Sequence, residues 1–219
     1  MLLCYITDRS QFPGNESARR GRLLERITEA ACYGVDFIQL REKDLTAREL
    51  ELLAHEVIGA IRENSSSTTQ LLINSRTDVA LAVRADGVHL RSDDISLPDV
   101  RKILNHHGRG ASARFTIGVS CHSIHEVRQV VDDADFVVYG PIFQKKTVSG
   151  SSAAGVEALQ QACQEKIPVL ALGGITMENA GACLQAGAAG IAGIRLFQQN
   201  EVRKVVDALR SLPQLNVVD

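Results

Sequence analysis

Short apolar runs alternate with longer stretches of helical spacing along this chain. The apolar runs are Leu2–Thr7, Val35–Leu40, Gln70–Ile73, Gly87–Leu90, the segment from Thr116 to Ser120, Phe136–Tyr139, Val169–Leu172 and Gly190–Ile194. Their continuity, with little polar alternation, is the signature of strands buried on both faces of a parallel sheet. Between them, Leu23, Leu24, Ile27, Ala30 and Ala31 fall on one helical stripe that ends near Gly34. Leu50, Leu53, Val57, Ile58 and Ile61 form a second stripe within Thr46–Ile61, and Val202, Val205, Val206, Leu209 and Leu212 form the last. Shorter helices are predicted through Val79–Val83, from Pro98 through Leu104, over Ile124–Val131, over Val156–Cys163, and from a Thr176 cap through Ala186. Ser123 with Glu126 reads as a capping box for the helix that begins at Ile124. The polar stretch 8–20, with Pro13 and Gly14, reads as a loop, and Glu63–Thr69 as a Ser-rich connector. Gln144–Gly155 is small, polar and Gly/Ser-rich, which predicts a mobile loop.

Eight strand–helix units in 219 residues predict a single (β/α)8 TIM barrel spanning 1–219. An internal echo agrees. Asp36, Asp86, Asp135 and Ala189 each lie between a helix end and an even-numbered strand, at intervals of about fifty residues, or two units. A doubly wound open sheet is the competing architecture, but no G-x-G-x-x-G follows the first strand.

Charge and composition narrow the function. With 24 basic and 26 acidic residues the net charge is −2, so the chain has no electrostatic footprint for nucleic acid or an anionic membrane. Trp is absent and aromatics are scarce, which removes stacking platforms for bases. The five cysteines, at 4, 32, 121, 163 and 183, form no C-x-x-C pair and point to neither a disulfide frame nor a zinc site. No apolar run is long enough to cross a membrane, and no signal-peptide pattern is visible. A reduced, cytoplasmic protein is expected.

The ends of the strands carry the chemistry in such a barrel. Alternation turns Gln39 and Arg41 inward while Ile38 and Leu40 face the helices, and Lys43 follows at the rim. Two cations held there suit a carboxylate or phosphate, unless they pair with Glu42 or Asp44. Gly173-Gly174 between a strand and a helix offers bare backbone N–H groups for a phosphate, and could also be an ordinary turn. Arg195 on the next strand end could add charge to that pocket or form a rim salt bridge. His122 ends the fifth strand and is the candidate proton shuttle, against the alternative of a structural histidine. His89 sits in an apolar strand and reads as buried and satisfied, and Cys121 as packing. Asp93 and Asp94 could bind Mg²⁺ or favour a helix N-terminus.

These segments together resemble the thiamine phosphate synthase/TenI superfamily of TIM barrels. The resemblance runs through Tyr5-Ile6-Thr7-Asp8, Gln39-Leu40-Arg41-Glu42-Lys43, Leu72-Ile73-Asn74, Asp86-Gly87-Val88-His89-Leu90, Gly118-Val119-Ser120, Gly140-Pro141-Ile142-Phe143 and Ala171-Leu172-Gly173-Gly174-Ile175. Synthases of this family join an aminopyrimidine diphosphate to a thiazole phosphate with Mg²⁺. The resemblance implies Gln39, Arg41, Lys43, Asn74 and Ser120 near the diphosphate, and Asp94 as a metal ligand. It also implies that Gly174 with Ile194 and Arg195 holds the thiazole phosphate.

Several positions depart from the synthase pattern. Ser75 stands where the synthases have a metal-binding Asp, and Arg91-Ser92 where they have Gly-Gln. Thr147 is followed by Val148 in place of a Thr-x-Thr-Lys run, although Lys145 and Lys146 lie nearby, and Arg195 replaces a usual Ser. Ser120-Cys121-His122-Ser123 matches the frame of the TenI-like branch, whose tautomerases need a proton shuttle and no metal. The expectation drawn from the sequence is therefore a TenI-like thiazole tautomerase. It would act on a thiazole phosphate carboxylate at His122, with Thr147 among the substrate contacts and no cofactor. A divergent Mg²⁺-dependent synthase is the alternative, and a non-catalytic phosphate-binding or regulatory barrel the third reading. Since relatives often form dimers, a homodimer is possible.

Overall fold

A computed structural model describes residues 1–63, 68–106, 115–143 and 153–213. Eight parallel strands close into a barrel: β1 (Leu2–Ile6), β2 (Phe37–Leu40), β3 (Gln70–Asn74), β4 (Gly87–Leu90), β5 (Thr116–Cys121), β6 (Phe136–Tyr139), β7 (Val169–Ala171) and β8 (Gly190–Gly193). Each pairs with its successor, and β8 pairs back onto β1 through Leu2 with Gly190 and Cys4 with Ala192. The (β/α)8 expectation therefore holds.

The helices wrap the outside: α1 (Glu16–Cys32), α2 (Ala47–Glu63), α3 (Thr77–Ala82), α4 (Leu97–His106), α5 (Ile124–Val130), α6 (Gly155–Ala162), α7 (Ala180–Gln185), α8 (Arg195–Gln198) and α9 (Val202–Arg210). Among the described residues no helix is long and apolar enough to cross a membrane.

Strand alternation divides the core in two. Cys4, Ile6, Phe37, Leu72, Phe136, Val138, Leu170 and Ala192 pack together as one inward-facing cluster. Phe37 and Phe136 stack at its centre with ring centroids 4.8 Å apart. Leu3, Tyr5, Ile38, Leu40, Leu71 and Ile73 point the other way, into the larger core shared with the helices. Ile38 and Leu40 thus take the orientation that their spacing predicts.

The internal echo has a physical basis at the strands' N-terminal ends. The Asp36, Asp86 and Asp135 carboxylates accept the backbone N–H of Leu3, Leu71 and Ile117 at 2.7, 2.8 and 2.8 Å. Each aspartate also donates its own N–H to the carbonyl of that same residue. Ala189 donates to Val169 in the same way but has no carboxylate to return the bond. The echo therefore marks a repeated strand-start device, fourfold in the backbone and threefold in side chains.

Most boundaries agree within one or two residues, α8 falls outside the predicted elements, and three differences have a clear physical cause. Within the stretch 8–20, read as a loop, Arg9–Gln11 form one 3-10 turn and α1 already begins at Glu16. Asn15 caps it by accepting the Ala18 N–H at 3.0 Å, a local signal that outweighs the polar composition. Strand β2 starts at Phe37 because Val35 closes the turn after α1 on the Ala30 carbonyl, and Asp36 serves as the strand-start residue bonded to Leu3. Helix α7 starts at Ala180 and not at Thr176, because the Asn179 carboxamide accepts the Thr176 N–H at 2.8 Å and folds residues 176–179 into a turn. The Ser123 cap does form, with Glu126 N–H on Ser123 Oγ at 3.2 Å, but the box does not close on Ser123: the Glu126 carboxylate accepts the His122 N–H at 2.8 Å, one residue earlier.

Candidate active site

All the polar strand ends meet at one rim, but they form two stations. The first is built by β2 to β5. Gln39 is buried, and its Nε2 donates to Asn74 Oδ1 at 2.8 Å. Asn74 Nδ2 in turn donates to Ser75 Oγ at 3.0 Å. Gln39 Oε1 has no partner among the described residues.

Below this chain lies His89, 1% exposed, with Nε2 at 2.9 Å from Ser120 Oγ. Its ring fits only because residue 118 is glycine: a Cβ there would lie 2.7 Å from His89 Nδ1. Burial, with a smaller push from the Arg41 charge, lowers the imidazole from its ordinary 6.5 to about 3, so His89 is neutral at physiological pH. Nδ1 has no partner. Assigning the single proton to Nε2 leaves only a lone pair unmet, which costs less than a buried orphan N–H. Ser120 Oγ then accepts from His89, and its own O–H is left to donate toward a ligand. The expectation of a satisfied histidine is thus met on one nitrogen only.

Arg41 is half-buried and Lys43 exposed at the end of β2. They do not pair with Glu42 or Asp44, the alternative left open by the sequence. Those acids belong to Arg9. Arg9 Nη1 lies 3.0 Å from Glu42 Oε2 and 2.7 Å from Asp44 Oδ1, and Nη2 lies 2.8 Å from Asp44 Oδ2. Arg9 is buried and sits in the stretch read as a loop, which is why sequence reasoning missed it. The available signal was two acids alternating with two cations, Arg41-Glu42-Lys43-Asp44, which raises the question of what holds the acids off the cations.

The second station is a cavity of about 1110 Å³ over β6 to β8, lined by His122, Gly140, Gly173, Gly174, Ile194 and Arg195 among others. Gly173 and Gly174 have φ of +99° and +66°. A Cβ on Gly174 would stand 2.7 Å from the Phe143 carbonyl oxygen, and one on Gly173 would stand 2.5 Å from Pro141 Cβ, so both positions require glycine. Their carbonyls are occupied by Phe143 N–H and Asn179 Nδ2, whereas their N–H groups donate to no partner among the described residues. The turn does not open a helix, as its spacing predicted, because α7 begins six residues after Gly174. The bare N–H groups themselves, rather than a helix end, are what an anion would meet.

His122 is exposed at this cavity. Its Nδ1 lies 2.5 Å from the Gly140 carbonyl oxygen, which can only accept, so Nδ1 carries a proton and Nε2 is the nitrogen left for a ligand. Arg195 is exposed at the start of α8 and makes no salt bridge among the described residues. Neither Arg41 nor Lys43 lines this cavity. The two cations of β2 thus stand outside the lining that His122 shares with the diglycine turn, and β2 lies opposite β6 in the closed barrel. Thr147, with Lys145 and Lys146, lies outside the described residues.

The donor set for Mg²⁺ is small. Asp94 Oδ2 accepts the Arg91 N–H at 2.7 Å, and Asp93 is paired with the Arg91 guanidinium. Among the described residues no group of three or more His, Cys, Asp or Glu could hold a metal. One free carboxylate oxygen on Asp94 fits Mg²⁺ that arrives with a phosphate-bearing substrate, since this ion is commonly held by one or two carboxylates plus substrate oxygens.

Comparison with known proteins turns on the whole chain. Residues 3–197 match the family model described as thiamine monophosphate synthase. The chain is 39% identical over 194 residues to a putative thiamine-phosphate synthase 2 of Aquifex aeolicus, covering 88% of this chain and 95% of the relative. It is 38% identical over 211 residues to a thiamine-phosphate synthase of Syntrophomonas wolfei, covering 93% of each. In structure it resembles a thiamine phosphate pyrophosphorylase from Pyrococcus furiosus, with TM-score 0.77 and 30% identity over 96% of this chain and 94% of the other.

These relatives overturn the tautomerase expectation: the isomerase reading gives way to the transferase. That expectation gave weight to single positions, Ser75 and His122 above all, whereas the similarity extends over nearly the whole chain. The chain belongs to the thiamine monophosphate synthase family.

Proposed function

We propose that this protein is a thiamine-phosphate synthase, joining an aminopyrimidine diphosphate to a thiazole phosphate with release of pyrophosphate. One observation supports the reading above others: the mouth carries two groups that suit anions, the cations Arg41 and Lys43 at the end of β2 and the backbone N–H groups of Gly173 and Gly174, both unpaired among the described residues. A reaction between two phosphorylated substrates needs two such places, one for the diphosphate and one for the phosphate.

In this reading Arg41 and Lys43 take the diphosphate, with Gln39, Asn74 and Ser120 orienting it and Thr147 contributing a further contact. As pyrophosphate departs it gains negative charge, and fixed cations aimed at that charge lower the barrier. Gly173, Gly174 and Ile194 hold the thiazole phosphate through backbone N–H groups, with Arg195 adding charge from the rim. Asp94 would hold Mg²⁺, which when bound neutralises part of the diphosphate charge. His122 is a polar wall of the thiazole phosphate pocket, and its role as proton shuttle falls with the isomerase reading. Five free thiols suit a reducing compartment and hence a cytoplasmic location.

The test is direct. Purified protein with both substrates and Mg²⁺ releases pyrophosphate, and omission of either substrate abolishes the release. Absence of pyrophosphate from the complete mixture would overturn the reading.

A further inference from the structure

We infer that Thr7, Arg9 and Glu42 form a clamp that positions Arg41 and keeps the neighbouring acids off the two cations. This sets the affinity of the β2 station for a diphosphate. The identity of the anion rests on the synthase reading above; the clamp itself rests on its own geometry.

Thr7 and Glu42 are buried, Thr7 with no exposed surface. Thr7 Oγ1 donates to Glu42 Oε1 at 2.6 Å and accepts the Arg41 N–H at 2.9 Å. Its own N–H donates to the Gln39 carbonyl at 3.0 Å. One hydroxyl therefore ties the backbone on which Arg41 rides to the end of β1. Glu42 also receives the Arg9 backbone N–H, at 3.2 and 3.0 Å to its two oxygens, and the Arg9 Nη1. These bonds hold the carboxylate against the end of β1.

Arg9 completes the device. Besides Glu42 it holds Asp44 through two parallel bonds and Glu16 through Nε at 2.6 Å. Its charge is spent on three carboxylates, so it does not compete with Arg41 for a ligand. Glu42 and Asp44 immediately flank Lys43, and Glu42 immediately follows Arg41. Unheld, they are the closest counter-ions in sequence for both cations. An anion would then have to displace them, and the loop would have to be ordered on binding, each at a cost in affinity. Thr7, Arg9 and Glu42 touch no substrate in this arrangement and act as positioning residues.

The test measures binding of inorganic pyrophosphate and of thiazole phosphate by titration calorimetry, with Mg²⁺ present. Thr7→Val keeps the shape of residue 7 and removes its hydroxyl; Glu42→Gln keeps the shape of residue 42 and removes its charge. Both are expected to weaken pyrophosphate binding about tenfold and to leave thiazole phosphate binding unchanged, a selectivity that general destabilisation does not produce. Thr7→Ser, which restores the hydroxyl, returns pyrophosphate affinity to the wild-type value. If Glu42→Gln does not fold, the Thr7→Val and Thr7→Ser pair decides. A lowered melting temperature with unchanged pyrophosphate affinity sinks the inference, as does an equal loss for both ligands. Wild-type protein that binds no pyrophosphate counts against the synthase reading instead, so the two failures are told apart.

Discussion

The two stations of the barrel mouth are made from different materials. On the β2–β5 side the groups that face a ligand are side chains, and several are positioned by another side chain. Gln39 leans on Asn74, Ser120 on His89, and the Arg41 backbone on Thr7. On the β6–β8 side the groups are backbone N–H donors at Gly173 and Gly174, fixed by φ values that only glycine adopts without strain. The first side can carry full charge and be tuned by its supporting residues. The second carries partial charge, and its position is set by the chain path alone. A diphosphate that leaves and a phosphate that stays make different demands, and the materials match them.

Three experiments probe this contrast, in decreasing order of effect. Acid should act on the side-chain station through His89. Its folded value of about 3 lies below the ordinary 6.5, so the folded state binds fewer protons than the unfolded one between those limits. His89 costs nothing above that window and removes ~1.4 kcal/mol of stability per pH unit as pH falls through it. In His89→Gln the stability lost between pH 7 and pH 4 should shrink by about 3 kcal/mol in urea unfolding. An unchanged difference would show that His89 is not held neutral.

The next experiment exchanges the two sides. Arg41→Ala should lower kcat/KM for the diphosphate substrate by about 10- to 100-fold and spare the KM for thiazole phosphate. Gly174→Ala, with its Cβ against the Phe143 carbonyl, should do the reverse, raising the thiazole phosphate KM about tenfold through ~1–3 kcal/mol of strain. Steady-state kinetics with each substrate varied in turn would reveal crossed effects, which would dissolve the division into two stations.

The smallest effect is expected at Arg195. As an exposed cation at the rim, it should contribute about threefold to the thiazole phosphate KM, an effect that fades as salt is raised. Arg195→Ser with a lower KM than wild type would mean that the side chain obstructs the pocket.

Much of the barrel was legible because its signals are local. Apolar runs marked every strand, and Ser123 with Glu126 marked a real cap. Even the Asp36, Asp86 and Asp135 echo, visible only as a recurrence, proved to be one hydrogen-bonded device used three times. The site was less legible. Arg41, Lys43, Gly173 and Gly174 were found from their places at strand ends, yet Arg9 and Thr7 were passed over. Their importance lies in partners 33 to 35 residues away, which no local pattern contains. The choice of reaction was misjudged for a related reason: His122 and Ser75 were read singly, whereas activity depends on how many such positions converge.

The sequence by itself determined eight buried strands, the helices that cover them and the residues that stand at each strand end, because hydrophobic period and capping are properties of neighbours along the chain. Only the tertiary structure decided that those ends form two stations rather than one, and that Glu42 and Asp44 answer to Arg9 instead of to the cations beside them. Closure of the barrel brings distant residues within hydrogen-bonding distance, and at that range burial and geometry, not adjacency in the chain, select which charge meets which.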